Sequence, residues 1–270
     1  IEDILVLKNN KGTEDNRVRK LDYSIQITKL FYERFIKNAE ISLFSPNHVP
    51  GLYEAFGMPE FDSMYLKYEK DKSVPRKTIG AQELFMDLLK ERAETGRIYI
   101  MNLDHCNTHS SFKDKIYMSN LCQEITLPTT PVQHIDDKEG EIALCILSAI
   151  NLGLLTDMNE LEELCDLSVR ALDEIIDYQE YPVEAAKISA QSRRSLGIGY
   201  IGLAHYLAKN QVGYEDKKAL KIVDKITEAF QFYLLKASNN LAKEKTKRRN
   251  KSLVDKISAT IILQSYLENI

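Results

Sequence analysis

QELFMDLLKERAETGRIYIM, Gln82 to Met101, joins two periodicities in one short stretch. Leu84, Phe85, Leu88 and Leu89 recur at helical spacing and share one face, and Gly96 stands where a helix ends through a residue that tolerates left-handed backbone. Arg97-Ile98-Tyr99-Ile100-Met101 then predicts a short apolar strand. A helix that passes through a glycine into a strand is half of an α/β unit, so the fold class is α/β.

Upstream, Ile4-Leu5-Val6-Leu7 predicts a short apolar strand or turn before the polar loop Asn9-Asn10-Lys11-Gly12. From Asp22 to Phe35, Tyr23, Ile27, Leu30, Phe31 and Phe35 follow helical spacing. Two prolines and a glycine make Ser45–Gly51 a loop, and residues 52 to 79 read as irregular or helical. Downstream, Asp104–Ser111 reads as a polar loop, as do the residues from Pro128 to Gly140. The apolar run Ile142–Leu147 suits a strand buried on both faces, though periodicity alone does not exclude a buried helix. Asn159 and Glu162 resemble a capping pair before a helix through Leu161, Leu164, Cys165, Ser168, Leu172, Ile175 and Ile176. A longer amphipathic helix runs from about Lys217 to Lys243.

A chain of 270 residues is long enough to bury a substantial core. A net charge of -4 gives no argument for a nucleic-acid or membrane surface. No apolar run long enough to span a bilayer and no signal-peptide pattern is present, so the expected compartment is the cytoplasm. Four cysteines, Cys106, Cys122, Cys145 and Cys165, are too few for a disulfide scaffold at this length. The chain opens on Ile1 without an initiator Met, as a fragment would.

Chemistry concentrates in Ser119-Asn120-Leu121-Cys122-Gln123-Glu124-Ile125. On an extended segment, which Ile125, Thr126 and the stop at Pro128 favour, Asn120, Cys122 and Glu124 face one side at steps of roughly 6.6 to 6.8 Å. An amide, a thiol and a carboxylate would then line one small site. A carboxylate beside a thiol in a dry core costs free energy unless it has a chemical or hydrogen-bonding role.

Three other features have plainer readings. His105, Cys106 and His109 carry zinc-ligand chemistry, but no fourth ligand is evident, so a hydrogen-bonding loop is expected and no metal site. Gly197-Ile198-Gly199-Tyr200-Ile201-Gly202 matches the dinucleotide glycine pattern literally. It follows Ser189–Ser195 rather than a hydrophobic strand, so close packing at a turn into a helix is expected; the NAD-enzyme alternative predicts nicotinamide-nucleotide affinity. Cys165 reads as core, and Lys247-Arg248-Arg249 as solvated surface.

The stretches LVLKNNKGTEDNRVRKLDY (5–23), LFSPNHVPGLYEAF (43–56), ERAETGRIYIMNLDHCNTHS (91–110), SNLCQEITLPT (119–129), GEIALCILSAINLG (140–153) and RRSLGIGYIGLAHYLAK (193–209) resemble the large, catalytic subunit of class I ribonucleotide reductase of the bacterial and phage type. The resemblance covers about residues 2 to 244. It implies part of a ten-stranded α/β barrel, two five-stranded halves with a central finger loop carrying the catalytic cysteine, over residues 1–244. Residues 245–270 form a divergent tail. Carried over by motif, Cys122 would become the thiyl radical that abstracts the 3′ hydrogen of the ribonucleotide. Glu124 would be the general base on the 3′ hydroxyl, Asn120 would hold that hydroxyl, and the backbone around Leu121 would contact the nucleotide. Cys145 would be one of two redox-active thiols that reduce the 2′ position and finish as a disulfide; spacing alone does not identify it.

The same resemblance puts the disulfide partner of Cys145, the ATP-cone activity domain and the effector-specificity site before this chain. The phosphate-binding loop, the radical-relay tyrosines and the mobile C-terminal cysteines lie beyond it. No cofactor is expected on the chain itself; the family uses a radical-generating dimetal small subunit and ATP or deoxynucleotide effectors. The expected partners are that small subunit, complementary large-subunit fragments, a ribonucleoside diphosphate, and thioredoxin or glutaredoxin as reductant. Isolated, the chain is expected to be inactive and marginally folded. The alternative is an inactive remnant or interaction-only fragment of the same subunit.

Overall fold

The computed structural model describes residues 22–246 together with Leu7, Asp15 and Val18. The apolar element expected at residues 4–7 (Leu7 apart), the polar loop at 9–12, the basic cluster at 247–249 and the tail beyond Thr246 lie outside the described residues. The chain divides into two compact units, residues 1–130 and 131–270.

The first unit opens with β1 (Ser24–Ile27), α1 (Lys29–Ile36) and β2 (Glu40–Phe44). Two short helices follow, α2 (Leu52–Ala55) and α3 (Phe61–Lys70), and then β3 (Arg76–Gly80), α4 (Ala81–Thr95), β4 (Tyr99–Asn102) and α5 (Leu103–Thr108). β1 runs parallel to β4 with Ser24 opposite Tyr99 and Ile27 opposite Asn102, and β2 is antiparallel to β3. The predicted helix–glycine–strand unit forms as read: α4 buries Leu84 and Leu88, Gly96 caps it at φ +66°, and β4 follows. Its N–H donates to the Arg92 carbonyl at 2.8 Å, one of the orphan groups at a helix end. Ile27, Leu30, Ile41, Leu84, Leu88 and Ile98 meet in one core. Each fully buried aliphatic side chain there contributes about 1.5–3 kcal/mol.

Three expectations are corrected in this unit. Asp22–Phe35 is not one helix, because its first part is β1. The spacing of Tyr23, Ile27 and Leu30 fits a helix, but backbone pairing with β4 prevails, and the helix starts only after Thr28. Asp104–Ser111 is not all loop. Leu103, 2% exposed, packs with Met101 and Ile116 and anchors a short helix, whose last turn Thr108 Oγ1 closes on the Asp104 carbonyl at 2.8 Å. Residues 52 to 79 resolve into two helices and most of strand β3.

The second unit contains β5 (Leu147–Asn151), a 3-10 turn, α6 (Glu160–Tyr178), α7 (Glu184–Arg193), β6 (Gly197–Ile201), α8 (Leu203–Lys209) and α9 (Lys217–Thr246). β5 and β6 are parallel, with Leu147 opposite Gly197 and Asn151 opposite Ile201. Leu161, Cys165, Ile226 and Phe230 share a core where α6 and α9 pack. Both helices were legible as amphipathic repeats, and Cys165 is fully buried as expected. At the C-terminus of α7, Arg194 takes left-handed backbone at φ +47°. Its guanidinium bridges Asp173 at 2.5 Å and Asp177 at 2.8 and 2.9 Å.

Here too the expectations shift. Strand β5 begins only at Leu147; along Ile142–Ile146, Ile142 and Cys145 are exposed and Ile146 is buried, so the run is not covered on both faces. Ile146 alone of that run is buried, in a core with Leu172, Ile176 and Ala190. The glycines of Gly197–Gly202 lie along strand β6 rather than in a turn, and only Gly202, at φ +74°, makes the turn into α8. Close packing does explain two of them: a Cβ at Gly197 would collide with Leu147, and one at Gly202 with the Asn151 side chain. The Asn159–Glu162 capping pair does not form. Asp157 Oδ1 instead accepts the Asn159 N–H at 2.9 Å, and the Thr156 hydroxyl bonds Glu160. No helix among the described residues is long and apolar enough to cross a membrane.

Candidate active site

The candidate stretch leaves the first unit's core through an anchor that sequence patterning overlooked. Asn107, on α5, pairs with Ile116 as a neighbouring strand would: its Oδ1 accepts the Ile116 N–H at 2.8 Å and its Nδ2 donates to the Ile116 carbonyl at 3.0 Å. Ile116 is 1% exposed, packed against Met101 and Leu103. One residue on, Gln26 of β1 donates to the Tyr117 carbonyl at 2.6 Å. Pro128, fully buried, fixes the other end. The segment between is therefore held at both ends. Asn107 sits in the His105–His109 stretch whose hydrogen-bonding role was expected; its side-chain amide, rather than the imidazoles or the thiol, was the signal.

Between these anchors the backbone is not extended. Asn120 to Gln123 make a turn closed by the Gln123 N–H on the Asn120 carbonyl at 3.1 Å, with Gln123 in left-handed backbone at φ +63°. The extended geometry would have set Asn120 and Glu124 roughly 13 Å apart. The turn instead brings them together, Asn120 Nδ2 donating to Glu124 Oε1 at 2.8 Å. Side-chain bonds to the main chain, which strand propensity ignores, decide this outcome: Asn120 Oδ1 accepts the Ile125 N–H at 3.1 Å, and Ser119 Oγ donates to the Ile125 carbonyl at 2.8 Å.

Cys122 lies on the turn between the amide and the carboxylate. It is exposed, and Leu121 beside it is 56% exposed. The loop thus offers a solvent-facing thiol, a carboxylate with one oxygen held by an amide, and a second carboxylate oxygen to accept a proton. A carboxylate so held can take a proton from a hydroxyl brought within hydrogen-bond reach. Cys145 is exposed on the segment before β5, in the second unit.

The remaining thiols differ. Burial pushes the Cys165 thiol up to about 11, which keeps it protonated and inert. Burial, helped by the Asp104 charge, also raises Cys106. The His105 and His109 rings lie edge to face at 5.7 Å, and His109 Nδ1 is 3.1 Å from the His105 carbonyl oxygen. Among the described residues no group of three or more His, Cys, Asp or Glu side chains is arranged to hold a metal ion.

Known proteins resemble the chain along nearly its whole length. The family model described as "Ribonucleotide reductase, barrel domain" matches residues 1–253. The chain is 59% identical over 250 residues to the ribonucleoside-diphosphate reductase subunit alpha of Buchnera aphidicola subsp. Schizaphis graminum, covering 91% of this chain and 33% of that protein. It is 56% identical over 249 residues to the ribonucleoside-diphosphate reductase 1 subunit alpha of Escherichia coli K12, covering 90% and 33%. The subunit alpha of Enterobacteria phage T4 is 44% identical over 253 residues, covering 91% and 33%. The chain spans about a third of the length of these curated relatives.

Proposed function

Since the chain belongs to the ribonucleotide reductase barrel-domain family, we propose that it carries the catalytic centre for reducing ribonucleoside diphosphates to deoxyribonucleoside diphosphates. In this reading a sulfur radical on Cys122 takes the hydrogen atom from C3′, leaving a thiol and a substrate radical. Glu124 accepts the 3′-hydroxyl proton, Asn120 holds that hydroxyl, and the backbone at Leu121 touches the nucleotide. The 2′ hydroxyl takes a proton from the dithiol and leaves as water, and after the two-electron reduction Cys122 returns the hydrogen atom to C3′ and becomes the sulfur radical again. Cys145 and a second thiol outside this chain supply two electrons and finish as a disulfide, which thioredoxin or glutaredoxin would reduce. A dimetal small subunit would supply the radical when bound.

The observation that carries the reading is the 2.8 Å bond between Asn120 and Glu124 across a turn whose exposed middle residue is Cys122. The same amide that shapes the turn also holds a carboxylate near the solvent-facing thiol in sequence, and that pairing supports a chemical role for the loop. Activity needs the flanking segments that the longer relatives carry, with residues 1–244 the barrel portion and 245–270 a divergent tail. Mixing the chain with those segments, the small subunit, a ribonucleoside diphosphate and a dithiol yields deoxyribonucleotide. Glu124→Gln lowers that turnover by about 10²–10⁴-fold, the usual worth of a general base. Parent-like turnover in Glu124→Gln contradicts the assignment.

A further inference from the structure

The loop's geometry depends on which way round the Asn120 amide sits, and a hydroxyl outside the thiol–carboxylate set controls it. A carboxamide accepts at one end and donates at the other. The Ile125 N–H, 3.1 Å from Oδ1, demands the acceptor on its side, so Nδ2 must face Glu124 Oε1 at 2.8 Å. Reversed, the amide would set donor against donor and oxygen against carboxylate. Ile125 therefore orients Asn120, and Asn120 orients Glu124. What keeps Ile125 in place is Ser119, whose Oγ donates to the Ile125 carbonyl at 2.8 Å and lies 3.2 Å from Asn120 Oδ1. Adjacent side chains thus hold both main-chain groups of Ile125.

We propose that Ser119 is a positioning residue for the reaction: its hydroxyl fixes Ile125 and, through it, turns the Asn120 amide toward Glu124. This rests on the assignment of Cys122 and Glu124 to the chemistry. Without the tether the amide is free to turn away. Glu124 then loses the donor that fixes its Oε1 at 2.8 Å, and its carboxylate is no longer held in one orientation toward the hydroxyl it serves.

The test uses a full-length large subunit carrying these residues between the flanking segments of a relative, assembled with its small subunit. Ser119→Ala lowers kcat about five- to tenfold, the worth of one hydrogen bond, and leaves KM unchanged. Ser119→Thr, which keeps the hydroxyl, restores the parent kcat. Ser119→Cys, nearly isosteric with a weaker donor, falls between. Because Ser119 acts through Asn120, Ser119→Ala costs nothing more once Asn120→Ala is present. Parent-like kcat in Ser119→Ala and Ser119→Cys, a loss that appears in KM rather than kcat, or losses that multiply with Asn120→Ala, overturn the proposal. In that event a dead Cys122→Ser leaves the site assignment standing, whereas an active Cys122→Ser removes the assignment itself.

Discussion

The loop from Ile116 to Pro128 and the helix pair α6–α9 hold their cysteines by opposite means. In the helix pair, Cys165 sits among Leu161, Ile226 and Phe230, and burial drives its thiol up to about 11. In the loop, the buried residues are the ends, Ile116 and Pro128, and hydrogen bonds from Ser119 and Asn120 to main chain and carboxylate shape the turn between them. The difference teaches that order and reactivity are separable. Packing gives stability and silences a thiol, whereas polar tethers give order and leave a thiol open to solvent.

The comparison is most strongly tested in the helices. Leu161, fully buried on α6, loses about 2–5 kcal/mol of stability when changed to Ala, read from the urea midpoint. A loss below about 1 kcal/mol would mean that packing is not what holds this region. The loop's anchor comes next. Asn107→Ala leaves the Ile116 N–H and carbonyl without partners and costs about 1–3 kcal/mol, with faster amide exchange at Ile116 than at Leu161.

Acid separates the two regions further. Burial opposes charge on Asp173, but hydrogen bonds from Arg194 and Lys245 outweigh it and hold the carboxyl below its usual range; the Arg194 hydrogen bond lowers Asp177 likewise. Both carboxyls bind protons less readily folded than unfolded. Their contribution to stability is therefore complete above the ordinary aspartate value of about 4 and disappears as pH falls through the lowered folded values. The unit carrying α6 and α9 loses thermal stability below about pH 4 in the parent, and Arg194→Met flattens that fall. An unchanged acid profile in Arg194→Met would show that the pair does not set it.

These regions were unequally legible in the sequence. The α4–Gly96–β4 unit, α6 and α9 could be read because apolar period and a glycine stop report directly on burial. Strand β1 was hidden because Tyr23, Ile27 and Leu30 also fit a helix, and its partner strand lies far along the chain. Asn120, Cys122 and Glu124 were legible as a set, but on the wrong backbone: the i, i+2, i+4 spacing predicts one face of a strand, while the Asn120 tethers and left-handed Gln123 make a turn. Asn107 and Ser119 were missed because an amide or hydroxyl bonded to main chain leaves no periodic trace.

The smallest expected effect on the fold falls at Cys122, and it tests the central claim most directly. Cys122 is exposed, so Cys122→Ser shifts the melting free energy by less than about 0.5 kcal/mol. Deoxyribonucleotide formation is then measured in the assembly with the flanking segments and the small subunit, beside a Cys165→Ser control. The expected result is no product from Cys122→Ser, a normally folded chain, and turnover retained in the control. Product formation by folded Cys122→Ser at the parent rate would contradict the claim that this loop is the radical site.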